Sequence, residues 1–185
     1  MTDYFALLGL ARRPGIDDEA LQENYLRLAA AWHPDAVGGD ADRFRELQEG
    51  RRILSEPALR LRHLLDLEGH EAQGGGAHGS PELFMEVAGT LDAAKTIRRK
   101  YAECRSAIGK ASLEPERRKV EQRIQSASEQ LRAHRETLAE QLQKEDARWP
   151  GMDHSELERI GKSFVFLDRW SKELREGLFQ LRNPA

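Results

Sequence analysis

The stretch Leu28-Ala29-Ala30-Ala31-Trp32-His33-Pro34-Asp35-Ala36-Val37-Gly38-Gly39-Asp40 decides how this chain is read. Leu21, Tyr25, Leu28 and Trp32 recur at steps of four, three and four, which makes one apolar stripe on a helix. Pro34 disfavours helical geometry in the residue before it, so the helix stops near His33. The proline also fixes its own φ and holds the chain extended, presenting His33 and Asp35 at a rigid turn. Asp35 then offers a carboxylate suited to a charge-assisted bond with an arginine of a partner. The plainer reading is a helix end closed by proline, with His33 placed at the negative end of the dipole.

The flanks continue the helical pattern. Upstream, Tyr4 to Leu10 is a short apolar segment that closes at Gly9 and the Arg12-Arg13-Pro14-Gly15 turn. Asp17 or Asp18 can cap the helix that follows. Downstream, a third helix carries Phe44, Leu47 and Leu54, and Pro57 opens a fourth with Leu59, Leu61, Leu64, Leu65 and Leu67. Helical periodicity then ends at Glu68-Gly69-His70-Glu71-Ala72-Gln73-Gly74-Gly75-Gly76-Ala77-His78-Gly79-Ser80-Pro81, which reads as a linker. Residues 1–67 hold 9 Arg against 12 Asp or Glu and no Lys; the first lysine is Lys95. The expected organisation is therefore a first unit over 1–67, a Gly-rich linker over 68–81 and a second unit over 82–185.

The second unit reads as three amphipathic helices. Ser80-Pro81 starts one with Leu83, Val87, Leu91, Ala94, Ile97, Tyr101 and Ile108 on its stripe. Pro115 is expected to open the next, with Val120, Ile124, Ala127, Leu131, Leu138 and Leu142. Trp149-Pro150-Gly151 breaks it, and the last helix carries Leu157, Ile160, Phe164, Leu167, Leu174, Leu178 and Leu181. Three such segments joined by breakers predict an antiparallel three-helix bundle, so the chain as a whole is all-α. Coiled-coil pairing into a homodimer is the competing explanation for the heptad-like steps.

Composition narrows the function classes. The chain has 185 residues, 33% charged and 6% aromatic, with a formal net charge of −3. Nucleic acid calls for a basic surplus, which is missing. No apolar run reaches the roughly 20 residues that span a bilayer, and no secretory or transit signal is legible at the start. Cys104 is alone, so neither a disulfide nor a thiolate metal cluster is expected. His70 and His78 flank the glycines without convergent acidic or thiolate partners, the glycines lack a GK[ST] ending, and no nucleophile–base pair emerges. A cytoplasmic, non-enzymatic helical protein without a cofactor is expected.

Several motifs fall in order around the turn: Asp3-Tyr4-Phe5-Ala6-Leu7-Leu8-Gly9-Leu10, His33-Pro34-Asp35, Phe44-Arg45-Glu46-Leu47 and Ile53-Leu54-Ser55-Glu56-Pro57. Together they resemble a J-domain, a helical hairpin with its His-Pro-Asp loop, through which DnaJ-type proteins engage DnaK-type chaperone ATPases. The resemblance implies that His33, Pro34, Asp35 and Arg27 bind the chaperone and stimulate its ATP hydrolysis. One departure stands out. Gln22-Glu23-Asn24-Tyr25-Leu26-Arg27-Leu28 contains only Arg27 as a basic residue where the family has several, and Ala36 stands where a lysine often follows. Weaker long-range attraction is expected from this, unless Arg43, Arg45, Arg51 and Arg52 on the next helix compensate.

The run Leu59-Arg60-Leu61-Arg62-His63-Leu64-Leu65-Asp66-Leu67-Glu68-Gly69 resembles the end of the J-domain in HscB-type co-chaperones of iron–sulfur cluster assembly. Glu82-Leu83-Phe84-Met85-Glu86 and Ser163-Phe164-Val165-Phe166-Leu167-Asp168-Arg169-Trp170 are similar to the opening and last helix of the C-terminal domain of that family. The resemblance implies a client face, for an iron–sulfur scaffold protein, at Phe84, Met85, Ala88, Asp92 and Phe166. Ala88, Gly89 and Thr96 replace larger or acidic family residues there, which favours a different client for the same architecture. Phe166 lies about 200° around the helix from Phe164 and is expected roughly opposite the core. A helical scaffolding protein with a degenerate J-domain is the alternative from another class.

Overall fold

The protein is described by a computed structural model covering residues 1–70, 80–151 and 153–183. Among the described residues there are seven helices and no strand: α1 (Tyr4–Leu7), α2 (Asp18–Trp32), α3 (Ala41–Ser55), α4 (Pro57–Leu67), α5 (Pro81–Glu103), α6 (Ala107–Asp146) and α7 (His154–Arg182). The Gly-rich linker expected over 68–81 lies, from 71 to 79, outside the described residues. Two compact units emerge: residues 1–76 with Leu138–Phe164, and residues 77–137 with Val165 onward.

In the first unit the caps are carboxylates. Asp3 accepts from the Phe5 and Ala6 amides, Asp17 from Glu19 and Ala20, and Asp40 from Asp42 and Arg43, each satisfying donors that a helix start leaves free. Phe5, Leu8, Leu47, Leu54, Leu61 and Leu64 form the core, each fully buried. α1 approaches α3 so closely that a Cβ on Gly50 would sit 2.9 Å from the Tyr4 ring. Burial reaches two polar groups on α4. Arg60 donates to the carbonyls of Pro14 at 2.8 Å and Leu54 at 2.6 Å, and His63 Nε2 accepts from the Tyr4 amide at 3.2 Å.

The adjoining ends of α6 and α7 pack into this same unit. Asp146 accepts from the Gly15 amide at 2.9 Å and pairs with Arg13 at 2.8 Å. His70 Nε2 lies 3.0 Å from a carboxylate oxygen of the buried Glu158, whose other oxygen meets Lys162 at 2.6 Å. α7 passes Leu61 so that a Cβ at Gly161 would sit 3.6 Å from it, an ordinary van der Waals contact.

The second unit is the three-helix bundle. Val87, Ala94 and Ile97 of α5, Ile124, Ala127 and Leu131 of α6, and Leu167, Leu174 and Leu181 of α7 are buried along one seam per helix. Cross-links fix the register. Gln130 donates to Glu86 and Lys100 pairs with Glu116, so α5 and α6 run antiparallel; Arg135 pairs with Asp168 across α6 and α7.

Two sequence expectations are corrected. Pro115 does not open a helix; it lies inside α6, which begins at Ala107 because the Ser106 hydroxyl accepts from the Gly109 amide at 3.0 Å. The carbonyl that Pro115 leaves without a donor belongs to Ala111, on an exposed stretch where water can reach it. Ile108 does not extend the α5 stripe either. α5 ends at Glu103, and Ile108 stands 86% exposed in the first turn of α6.

Candidate docking and client-binding sites

The turn after α2 is built by its backbone. α2 ends at Trp32, and the His33 amide donates to Ala29 at 2.9 Å. Beyond Pro34, Ala36 N donates to His33 O at 2.9 Å, Gly39 N to Ala36 O at 2.9 Å, and Asp40 N to Trp32 O at 3.1 Å. These bonds fold residues 33–40 into a closed loop against the end of the helix. A Cβ on Gly39 would collide with the His33 carbonyl, so this loop requires glycine at that position.

Within the loop the His33 ring is oriented from two sides. Its Nδ1 accepts from the Asp35 amide at 3.2 Å, and its edge packs against Phe44 with centroids 5.1 Å apart. Since Nδ1 is occupied as an acceptor, its 3.6 Å separation from the Asp35 carboxylate is not a hydrogen bond. The Asp35 side chain is 91% exposed and aimed outward. Pro34 and Arg27 are exposed as well. The structure thus gathers His33, Pro34 and Asp35 on one projecting turn, with Arg27 on the preceding helix.

The face of α2 carries more charge than its own sequence supplies. Arg51, from α3, lies with its guanidinium carbon 4.3 Å from the Tyr25 ring centre and donates to Gln22 at 3.0 Å. The other α3 arginines are engaged by acids on their own helix or its cap: Arg43 with Asp40, Arg45 with Asp42, Arg52 with Glu49. Leu26 is 55% exposed on α2, an apolar spot that periodicity alone did not single out.

In the second unit, Phe84 is 45% exposed and meets the Trp170 ring edge-on, centroids 5.4 Å apart. Phe166 packs on the same indole at 5.6 Å. Trp170, only 9% exposed, is the platform that joins α5 to α7, a residue that sequence reasoning missed. Phe166 is accordingly half-buried rather than opposite the core. Phe164 is not the sole centre of the seam: Trp170 is one turn beyond Phe166 and its large ring reaches around. Met85 and Val165 are 69% and 57% exposed, Ala88 is half-buried and Asp92 exposed. At Gly89 a side chain would meet only Arg123, at 3.9 Å, so the face is open there.

Among the described residues no three His, Cys, Asp or Glu side chains are arranged to hold a metal, and no helix is long and apolar enough to cross a membrane. His78 lies outside the described residues.

Residues 3–63 match the DnaJ domain family. A chaperone protein DnaJ of Hyphomonas neptunium is 42% identical over 84 residues, 43% of this chain and 21% of that protein. A co-chaperone protein HscB homolog of Azoarcus is 37% identical over 93 residues, 45% of this chain and 52% of the relative. The chain thus spans about a fifth of the DnaJ protein it matches and about half of the HscB homolog. By structure, the chaperone HscB from Vibrio cholerae aligns over 97% of this chain and 99% of its own, with a TM-score of 0.61 at 21% identity. The human co-chaperone protein HscB aligns over 95% and 82%, also at 0.61, with 17% identity.

Proposed function

We propose that this chain, which carries a DnaJ domain at residues 3–63 and has the fold of HscB, is a co-chaperone that stimulates a DnaK-type ATPase and delivers a client to it. The reading assigns the chaperone-binding module to 1–67, the linker to 68–81 and the client-binding module to 82–185. It places the work in the cytoplasm and assigns no chemical step to the protein itself. The observation that carries it is the closed turn that projects His33, Pro34 and Asp35 from the end of α2. A rigid, outward carboxylate of this kind docks an arginine of a partner without ordering a loop at the moment of binding. Steady-state ATPase of the cognate chaperone tests it. Wild type raises the rate and Asp35→Asn does not; a wild-type protein without effect removes the proposal.

The client assigned is an iron–sulfur scaffold protein, held on Phe84, Met85, Ala88, Asp92 and Phe166. Exposed Phe84 and Met85 beside a tryptophan-backed platform support it, since large apolar side chains at such a spot anchor interfaces. A different client is the second reading, favoured by the open space at Gly89. Capture of purified scaffold protein by wild type, but not by Met85→Glu, distinguishes the two.

A further inference from the structure

Phe84, Ala88, Asp92, Lys95 and Arg99 follow one another on α5 at steps of four, four, three and four, so they share one face within about 80° of arc. The face changes character along its length. It opens on an exposed aromatic and, about 16–22 Å further on, ends on two cations. Those cations line a shallow groove of about 740 Å³ between α5 and the end of α7, together with Arg98, Gln180 and Asn183. Asp92 is the acidic residue in its lining.

The charges there are available. Lys100 is tied to Glu116 and Arg98 donates to Gln180, whereas Lys95 and Arg99 are exposed and, among the described residues, have no ion-pair partner. We propose that this groove takes an acidic segment of the protein held on Phe84 and Met85, so that the client is recognised by an apolar contact followed by a negative one. The proposal rests on the client-binding reading above and adds the chemistry of the partner. Charge complementarity selects an acidic polypeptide over nucleic acid, because the free cations are few and local while the chain as a whole, at a net charge of −3, lacks the basic surplus a phosphate backbone calls for.

A fluorescein-labelled peptide of about ten glutamates, followed by anisotropy with the full chain at about 20 mM and about 300 mM salt, provides the test. Lys95→Glu with Arg99→Glu is expected to weaken peptide binding at low salt by at least about tenfold. Reversal of Arg118 and Lys119, exposed on α6 away from the groove, is expected to leave it within about twofold. Unchanged melting of both variants confirms that folding is not the cause. Equal losses in the two variants, undiminished binding after reversal at 95 and 99, or tighter binding of a single-stranded oligonucleotide through the same residues would each overturn the proposal. The client reading fails separately. If purified scaffold protein is not captured at all, that reading falls while the peptide result stands; if scaffold is captured through Met85 and the peptide ignores the groove, only the acidic partner falls.

Discussion

The Arg51 guanidinium, rooted on α3, stacks over Tyr25 of α2 with 4.3 Å between the guanidinium carbon and the ring centre. A cation is thereby held against a helix whose own sequence carries Arg27 as its only basic residue. Stacking fixes its position at little entropic cost, and the bond to Gln22 sets its direction. Arg51→Glu is expected to weaken docking to the chaperone by about tenfold at low salt and to leave the stimulation at saturation near that of wild type. The gap closes as salt approaches about 0.5 M, where screening removes steering. Titration of ATPase stimulation at two salt concentrations measures this; equal affinities at low salt would show that Arg51 is part of a solvated face only.

Gly39 sets the shape of the docking turn from outside the tripeptide. Any side chain there meets the His33 carbonyl, so Gly39→Ala must open the loop that Asp40 and Ala36 close. Since the loop is at the surface, the fold is expected to lose only about 1–3 kcal/mol. ATPase stimulation is expected to fall by about tenfold or more as His33 and Asp35 lose their relative geometry. Thermal melting and stimulation measured on the same preparation separate the two effects. Retained stimulation would mean that the turn reforms on the partner.

Protonation of His63 opposes folding of the first unit. Burial pushes its pKa below the ordinary value of 6.5, outweighing the carboxylates of Asp3 and Asp66, which act the other way. The folded state therefore binds fewer protons than the unfolded chain in the window just below pH 6.5. Stability is fully present above that pH and declines as pH falls through the lowered folded value. The Tyr4 amide also loses its acceptor when Nε2 takes a proton. Urea unfolding between about pH 7.5 and pH 5 is expected to show a loss that His63→Gln flattens. A variant with the same pH slope as wild type would assign the acid loss to other groups.

Arg60 is another buried polar group of the first unit, and its two carbonyl acceptors come from separate segments. Burial lowers its pKa, with Asp18, Asp146 and Glu56 opposing, yet a guanidinium stays charged throughout the accessible range. Arg60→Ala leaves the Pro14 and Leu54 carbonyls without donors and a void behind. The expected loss is about 3–5 kcal/mol, measurable by denaturant unfolding. Arg60→Met, which fills the space without the charge, is expected to recover part of it. A loss below about 1 kcal/mol would show that water replaces both bonds.

The helices were legible because their signals are local: capping aspartates, prolines and apolar steps fix α2, α3, α4 and α5 before any packing is considered. The turn at His33-Pro34-Asp35 was legible for the same reason, since Pro34 dictates its own neighbourhood. What escaped was long-range. Arg51 reaches Tyr25 across 26 positions, and Asp146 reaches Gly15 across 131. Neither pairing leaves a periodic trace in the sequence. Pro115 misled for a complementary reason: proline marks a helix start only where nothing upstream caps better, and Ser106 does. Phe166 was placed by angle alone, which ignores how far an indole such as Trp170 extends from its helix.

The Trp170 platform separates two ways of losing the client. Met85 is 69% exposed, whereas Phe166 is half-buried against the indole. Met85→Glu is expected to leave thermal stability within about 0.5 kcal/mol of wild type and to weaken scaffold capture by at least about tenfold, because a carboxylate would be desolvated in the contact. Phe166→Ala is expected to cost both quantities, about 1–2 kcal/mol of stability and a similar amount of binding, since the ring fills space on one side and meets the partner on the other. ATPase stimulation by either variant in the absence of client is expected to match wild type. Calorimetric binding and melting of the pair decide the matter. If Phe166→Ala lowers stability alone, its ring belongs to the bundle and the client face narrows to Phe84, Met85, Ala88 and Asp92.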